Sequence, residues 1–477
     1  MKAPIENVAG LWRRLGPRFL PFADGASETL PLSQLLRLSM FQVSIGIALV
    51  LLNGTLNRVM IVELGVATSI VAAMISIPIL LAPIRLLLGY KSDYHRSFLG
   101  LRRIPYIWIG TLLQFGGLAI MPFALIVLSG DADGPAFVGP LSAALAFLMV
   151  GAGLHTTQTA GLALADDLAD PAKRHRVVAL LYVMLLLGSL IASVSLAWLL
   201  SSFSQIRLIQ VIQGAAVVTF ALNIIAMWKQ EQRRPALTHP QLPRPTFAES
   251  LRGLRQDHRY ARLLTAVGLG TAAFAMQDIL LEPYGGEILG LSVAGTTLLT
   301  ALAALGTLLG CAIAARRLDK KGDPLRLASA GALVGILAFS AVVFSSPLKS
   351  VELFRLGAFL IGLGGGLFAA GTLTFAMQLV RDGQAGQLLG AWGTVTATAA
   401  GVAVASSGFI RDTIGSLADA GALGAAMNTP ASGYLVVYHL EIGLLFAALV
   451  AIGPLVRSAP AHNHDRSQSF GLAEFPG

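Results

Sequence analysis

Residues 89–108 read GYKSDYHRSFLGLRRIPYIW. They crowd Lys91, Asp93, His95, Arg96, Arg102 and Arg103 into a short island of charge between apolar runs at roughly 66–88 and 104–128. Runs of that length cross the roughly 30 Å hydrocarbon core of a bilayer as helices, so the island is a loop at the membrane surface. Lys and Arg are enriched in cytoplasmic loops. The loop is therefore expected inside, and it sets the direction of every other segment.

Working outward, the same pattern recurs along all 477 residues. The chain is 55% hydrophobic and only 12% charged, with a mean hydropathy of +0.72; a soluble domain carries about 25% charged residues. Twelve spanning segments are predicted, at about 34–60, 66–89, 104–128, 138–165, 177–201, 205–228, 260–284, 291–314, 326–346, 352–380, 388–410 and 434–456. About 28 of the 34 Lys and Arg residues fall in the tails and even-numbered loops, so both termini are predicted to be cytoplasmic. The net charge of +9 is thus a topology signal. With no basic face gathered on one side, nucleic acid is not an expected partner and membrane lipid is.

The proline-rich, basic connection 229–259 divides the chain. The expected order is a tail at 1–33, a six-helix bundle at 34–228, the linker, a second six-helix bundle at 260–456 and a tail at 457–477. Residues 1–31 hold Arg13, Arg14 and Arg18 without an apolar core, so the first spanning segment is expected to direct insertion. The single cysteine, Cys311, leaves no partner for an internal disulfide and no cysteine-built metal site.

A six-plus-six division invites a search for an internal repeat. Segment 1 ends in NRVMIVELGV (57–66) and segment 7 in EPYGGEILGL (282–291), each with a glutamate just before a glycine. About 30 residues after Glu63 and Glu287 comes a turn with an aspartate among cations, Asp93 in the first half and Asp319 in the second. Two like halves running in the same sense give the expected fold class: an all-α membrane protein with the twelve-helix plan of the major facilitator superfamily. The loop Gly89-x-x-x-Asp93-x-x-Arg96 resembles that superfamily's best-known motif.

Two roles suit that loop. Gly89, Asp93, Arg96, Arg102, Arg103 and the echo at Asp319 can form ion pairs that persist in one conformation only and so gate the protein. They can also be a solvated turn that enforces topology. Asn57 and Arg58 lie near the outer end of segment 1, where a membrane-embedded charge needs a partner, water, or a snorkelling path to the surface. Arg85 is expected to snorkel or to pair with Asp93. His155 and Gln158 lie one turn apart on segment 4, among Gly151, Gly153 and Gly161. That face suits the magnesium of a chlorin, or a histidine hydrogen-bonded between closely packed helices. Asp166 and Asp167 at the end of the same segment are expected to cap it and to pair with Lys173, Arg174 or Arg176. On segment 7, Gln277, Asp278 and Glu282 form an acidic stripe suited to carrying a proton or holding a ligand, with Pro283 breaking the helix just beyond. His439 and Glu441 on segment 12 are placed near the outer surface. No Walker loop, nucleophile elbow or zinc-protease motif is present, so the chain does not read as an enzyme.

LRLSMFQVSIGIALVLLNGTLNRVMIVELGV (36–66), YKSDYHRSFLGLRRIPYIWIGTLLQFGG (90–117) and GLHTTQTAGLALADDLA together resemble the PucC/LhaA family of photosynthetic bacteria. The N-terminal FLPFADGASETLPLSQLLRLS is closer to the LhaA branch. The resemblance implies a protein of the inner or intracytoplasmic membrane that assembles light-harvesting antenna, here the core antenna (LH1). It implies bacteriochlorophyll as the molecule bound or delivered, with antenna α and β polypeptides and bacteriochlorophyll synthase as partners. A proton-coupled secondary transporter of a porphyrin-like or other small solute is the competing expectation.

Overall fold

The computed structural model describes residues 26–27, 30–81, 84–93, 95, 100–129, 135, 137–170, 174–231, 258–320, 322–379 and 385–457. Among them every regular element is helical, and eleven helices are long and apolar enough to cross a membrane. The helices are α1 (Leu32–Glu63), α2 (Thr68–Leu80), α3 (Ile84–Asp93), α4 (Ile104–Leu128), α5 (Val138–Leu168), α6 (Arg174–Leu199) and α7 (Gln205–Met227) in the first half. The second half holds α8 (Tyr260–Glu287), α9 (Val293–Asp319), α10 (Pro324–Ser345), α11 (Val351–Gln378), α12 (Ala385–Asp419) and α13 (Ser432–Arg457).

The segment expected at 66–89 is seen as two helices, α2 and α3, with residues 82–83 between them outside the described residues. α12 also departs from expectation by running on to Asp419 instead of ending near 410. Its added turns carry Arg411 and Asp412, which find partners on α8, α13 and α2. The proline-rich linker is described only at its two ends.

Two glycines fix the true register of the repeat. Gly65 and Gly290 have φ +63° and +66°, the left-handed conformation that commonly ends a helix. In each, an N–H reaches back six residues, Val66 to the Met60 carbonyl and Leu291 to the Gly285 carbonyl, both at 2.9 Å. Aligned on these caps, Asn57 corresponds to Glu282 and Gly54 to Ile279. Glu63 then falls opposite Ile288, so the pairing of Glu63 with Glu287 expected from the two strings is off by one.

Small residues let the helices close on one another within each half. Gly110 and Gly117 of α4 meet α5, and Gly331 of α10 meets Gly364 of α11. Between halves, α2 packs on α12 and α6 on α9. The end of the molecule bearing the 89–103 loop is called here the basic end, and the end at Glu63 and Glu287 the far end.

Candidate functional site

Where α1 and α8 cross, both helices leave regular geometry. α1 winds as π-helix over Val50–Leu56 and Val59–Glu63, a form that recurs at functional sites. α8 tightens to a 3-10 turn at Gln277–Ile279 before resuming at Leu281. The break therefore precedes Pro283 rather than following it. A proline deprives the carbonyl four residues earlier of its donor, and here that carbonyl is Ile279's. Asn57 of α1 supplies the missing donor, its Nδ2 lying 3.0 Å from the Ile279 oxygen.

The crossing is reciprocal. Asn57 reaches the backbone at Ile279, and its counterpart Glu282 packs against the backbone at Gly54, the counterpart of Ile279. A Cβ at Gly54 would collide with the Glu282 carboxylate. Glu282 is 3% exposed; its Oε1 accepts from Thr300 Oγ1 at 2.5 Å, while its Oε2 is buried without a partner.

On the basic-end side of this crossing lies a cavity of about 390 Å³ between the halves, at the small end of ligand-sized pockets. Gln277, Asp278 and Glu282 all line it, facing Asn53 and Gly54 of α1. Gly362, Gly365 and Gly366 of α11 give it a wall of backbone, and Tyr182 and Cys311 line it toward the basic end. Tyr182 and Cys311 each stand about two turns from the basic ends of α6 and α9.

Contacts between halves seal the far side. Besides Asn57, Arg58 Nη2 donates to the Leu291 carbonyl at 3.2 Å, and the Ser69 N–H donates to Asp412 Oδ2 at 2.6 Å. Arg58 is 4% exposed and paired with Glu63, so it faces inward and does not snorkel. Nearby, Arg411 bridges Asp412 and Glu287, and Tyr434 donates to Glu287 at 2.8 Å.

At the basic end Arg102 and Arg103 bond to groups of the first half. Arg103 donates through Nε to Asp167 at 3.0 Å and through Nη1 to Ser92 at 2.6 Å, while Arg102 Nη2 lies 3.2 Å from the same Asp167 oxygen. Asp167 thus pairs with the loop's own arginines, while Lys173 and the Arg174 side chain, among the partners expected, lie outside the described residues. Glu231, unremarked in the sequence, accepts from the N–H groups of Arg102, Arg103 and Ile104 at 2.7, 3.0 and 2.9 Å. A carboxylate there satisfies the free donors that open α4 and complements its dipole. Arg96 lies outside the described residues, and so do the side chains of Asp93 and Asp319; Gly89 is within α3.

His155 and Gln158 do not line the cavity. His155 Nε2 lies 3.0 Å from the Pro78 carbonyl, so the imidazole joins α5 to α2. Its Nδ1 is buried without a partner. The neighbouring glycines face protein, with Gly151 against Pro78, Gly153 against the α4 backbone and Gly161 against the Phe41 ring. Arg85 donates to Thr159 at 3.2 Å. Glu441, placed near the outer surface by sequence, is wholly buried nine residues into α13; His439 is exposed. Among the described residues no cluster of three or more His, Cys, Asp or Glu could hold a metal ion.

Two six-helix halves around a cavity define an all-α membrane protein of the major facilitator fold. The bacterial homologue of the lysosomal transporter Spinster, in an inward-facing state, matches with a TM-score of 0.65 at 13% identity over 90% of this chain and 98% of its own. The nucleoside transporter NupG matches at 0.64 and 15% over 88% and 98%; both likenesses concern the fold alone. The chain belongs to the PUCC protein family, which its residues 55–459 match. It is 55% identical to an uncharacterized protein of the puhA-bchM intergenic region of Rhodobacter capsulatus, over 97% of this chain and 98% of that one. It is 51% identical to Protein PucC of Cereibacter sphaeroides over 96% and 99%. The bacteriochlorophyll synthase 44.5 kDa chain of Rhodobacter capsulatus is 27% identical over 90% and 99%.

Proposed function

We propose that this chain assembles light-harvesting antenna, handling bacteriochlorophyll on its way to newly inserted core-antenna (LH1) α and β polypeptides. The observation that carries the reading is full-length kinship: PucC proteins at about half identity, and a relative whose own name ties it to bacteriochlorophyll synthase. In this reading bacteriochlorophyll synthase is the partner that supplies pigment. The basic end faces the cytoplasm, both termini lie there, and the membrane is the inner or intracytoplasmic one.

The chemistry of the cavity refines the reading. A chlorin presents carbonyl groups at its rim, and these need donors; the Asn53 amide and the Tyr182 hydroxyl are among the neutral donors on the cavity wall. Among the described residues no histidine lines the cavity, so axial ligation of magnesium would fall to His155 Nδ1 at the α2–α5 seam, outside it. A strain lacking the gene should lose core-antenna absorption, and the protein purified from pigment-making cells should carry bacteriochlorophyll. Normal core antenna in the deletion strain overturns the reading.

Proton-coupled transport of a small solute is the second reading. Asp278 and Glu282, two carboxyl groups in a cavity between halves, favour it. Solute uptake into vesicles that ignores a proton gradient and survives Asp278→Asn counts against it.

A further inference from the structure

The cavity between the halves holds acceptors that a chlorin, itself an acceptor at its rim, cannot satisfy. Among the described residues lining it, Asp278 and Glu282 are the charged ones, and none is Lys, Arg or His. Asp278 stands exposed within the cavity. Gln277 Nε2 donates to its Oδ1 at 2.5 Å, and among the described residues no hydrogen bond reaches its Oδ2. One turn along α8, Glu282 accepts from Thr300 at Oε1 and keeps a buried Oε2 without a partner. Arg58 of α1 is engaged by Glu63 and the Leu291 carbonyl and does not line the cavity.

The internal repeat shows that the crossing can be built without these charges. Aligned on the Gly65 and Gly290 caps, Asp278 corresponds to Asn53 and Glu282 to Asn57, so each half carries a polar pair one turn apart at the same place. In α1 the pair is neutral: Asn57 holds the Ile279 carbonyl and Asn53 faces the cavity. In α8 the same two places carry carboxyl groups, which add charge to the wall. Asp278 lies about 14 Å from the far end of α8, a depth at which a carboxylate without a partner is costly. Two of them one turn apart also repel each other. A cation seated between them relieves both penalties.

We propose that the cavity binds a small organic ammonium ion, its N–H groups shared between Asp278 and Glu282 and its hydrocarbon part set against Phe274 and the glycine wall of α11. This goes beyond both readings of function, which ask the cavity for donors or for a proton. A metal ion fits poorly. Among the described residues no group of three or more His, Cys, Asp or Glu could hold one, and the hard divalent cations take about six or more oxygen ligands. Leu49, Leu281, Ile361 and the Phe274 ring line the same space, with the backbone of Gly362 and Gly365 beside them. Apolar walls with a few convergent polar groups suit an organic ion, which buries its hydrocarbon while its N–H groups meet the oxygens.

The test is calorimetric titration of the full chain in a nonionic detergent with three probes of similar shape: phenethylammonium, phenethyl alcohol and phenylacetate. The natural chain should bind the ammonium about tenfold or more tighter than the alcohol, and should not bind the anion. Asp278→Asn should weaken the ammonium about tenfold and leave the alcohol unchanged. Glu282→Gln should act in the same direction. A natural chain that does not bind the ammonium overturns the site, as does one that binds ammonium and alcohol equally. So does undiminished ammonium affinity in a monodisperse, fully helical Asp278→Asn; should that variant fail to fold, Glu282→Gln decides in its place. None of these measurements involves pigment, antenna or a proton gradient, so the ammonium site and either reading of function fail separately.

Discussion

Gly54 shows how one residue's size can be set by its opposite number. Its missing Cβ is the space in which the Glu282 carboxylate lies. Adding one carbon to a packed site costs about 1–3 kcal/mol, so Gly54→Ala should lower stability to detergent unfolding by that amount. Glu282→Ala on the same chain should recover most of the loss, because it removes the group the new carbon strikes. Equal losses in the single and double variants would mean the contact is not the reason for the glycine. Residue by residue, legibility followed local context. Asp278 and Glu282 stood out because a carboxylate in an apolar segment is conspicuous. Glu231 was hidden in a string of linker charges, since only the fold brings it to the N-terminus of α4. Glu441 was misplaced because its depth depends on where α13 begins, and helix ends are the least certain part of a sequence reading.

At the level of elements, α8 is bent by a defect that α1 repairs. Pro283 withholds a donor from the Ile279 carbonyl, and Asn57 provides one. Interhelical hydrogen bonds inside membranes contribute about 1 kcal/mol. Asn57→Leu should therefore destabilise by about that much in the natural chain. In a Pro283→Ala background the restored N–H can serve Ile279 from within α8, and Asn57→Leu should then cost little. A double-mutant cycle read by unfolding in denaturing detergent measures the difference; a coupling near zero would show that the two positions act independently. The proline was visible in the sequence but its consequence was assigned to the wrong side, downstream instead of a turn upstream. The repair could not be read at all, because it joins residues more than two hundred positions apart.

For the whole molecule, the alternation of basic loops with loops poor in Lys and Arg was enough to give twelve crossings in two halves, because the bilayer forces each apolar run to cross and each cation cluster to stay out. What the pattern could not carry was conformation. Among the described residues the bonds between halves gather toward the far end, at Asn57, Arg58 and the Ser69–Asp412 contact, while Arg102 and Arg103 bond to Asp167 and Ser92 of their own half. Such an arrangement predicts a cavity reached from the basic end and closed from the other. The single cysteine, Cys311, lines that cavity and so reports on access without engineering. A small membrane-impermeant thiol reagent should label Cys311 from the basic side of oriented vesicles and only weakly from the far side. Asp412→Ala, which removes the acceptor for the Ser69 N–H, should raise far-side labelling severalfold by loosening α2 from α12. Far-side labelling already fast in the natural chain would show that the latch at Ser69 and Asp412 does not hold the halves together.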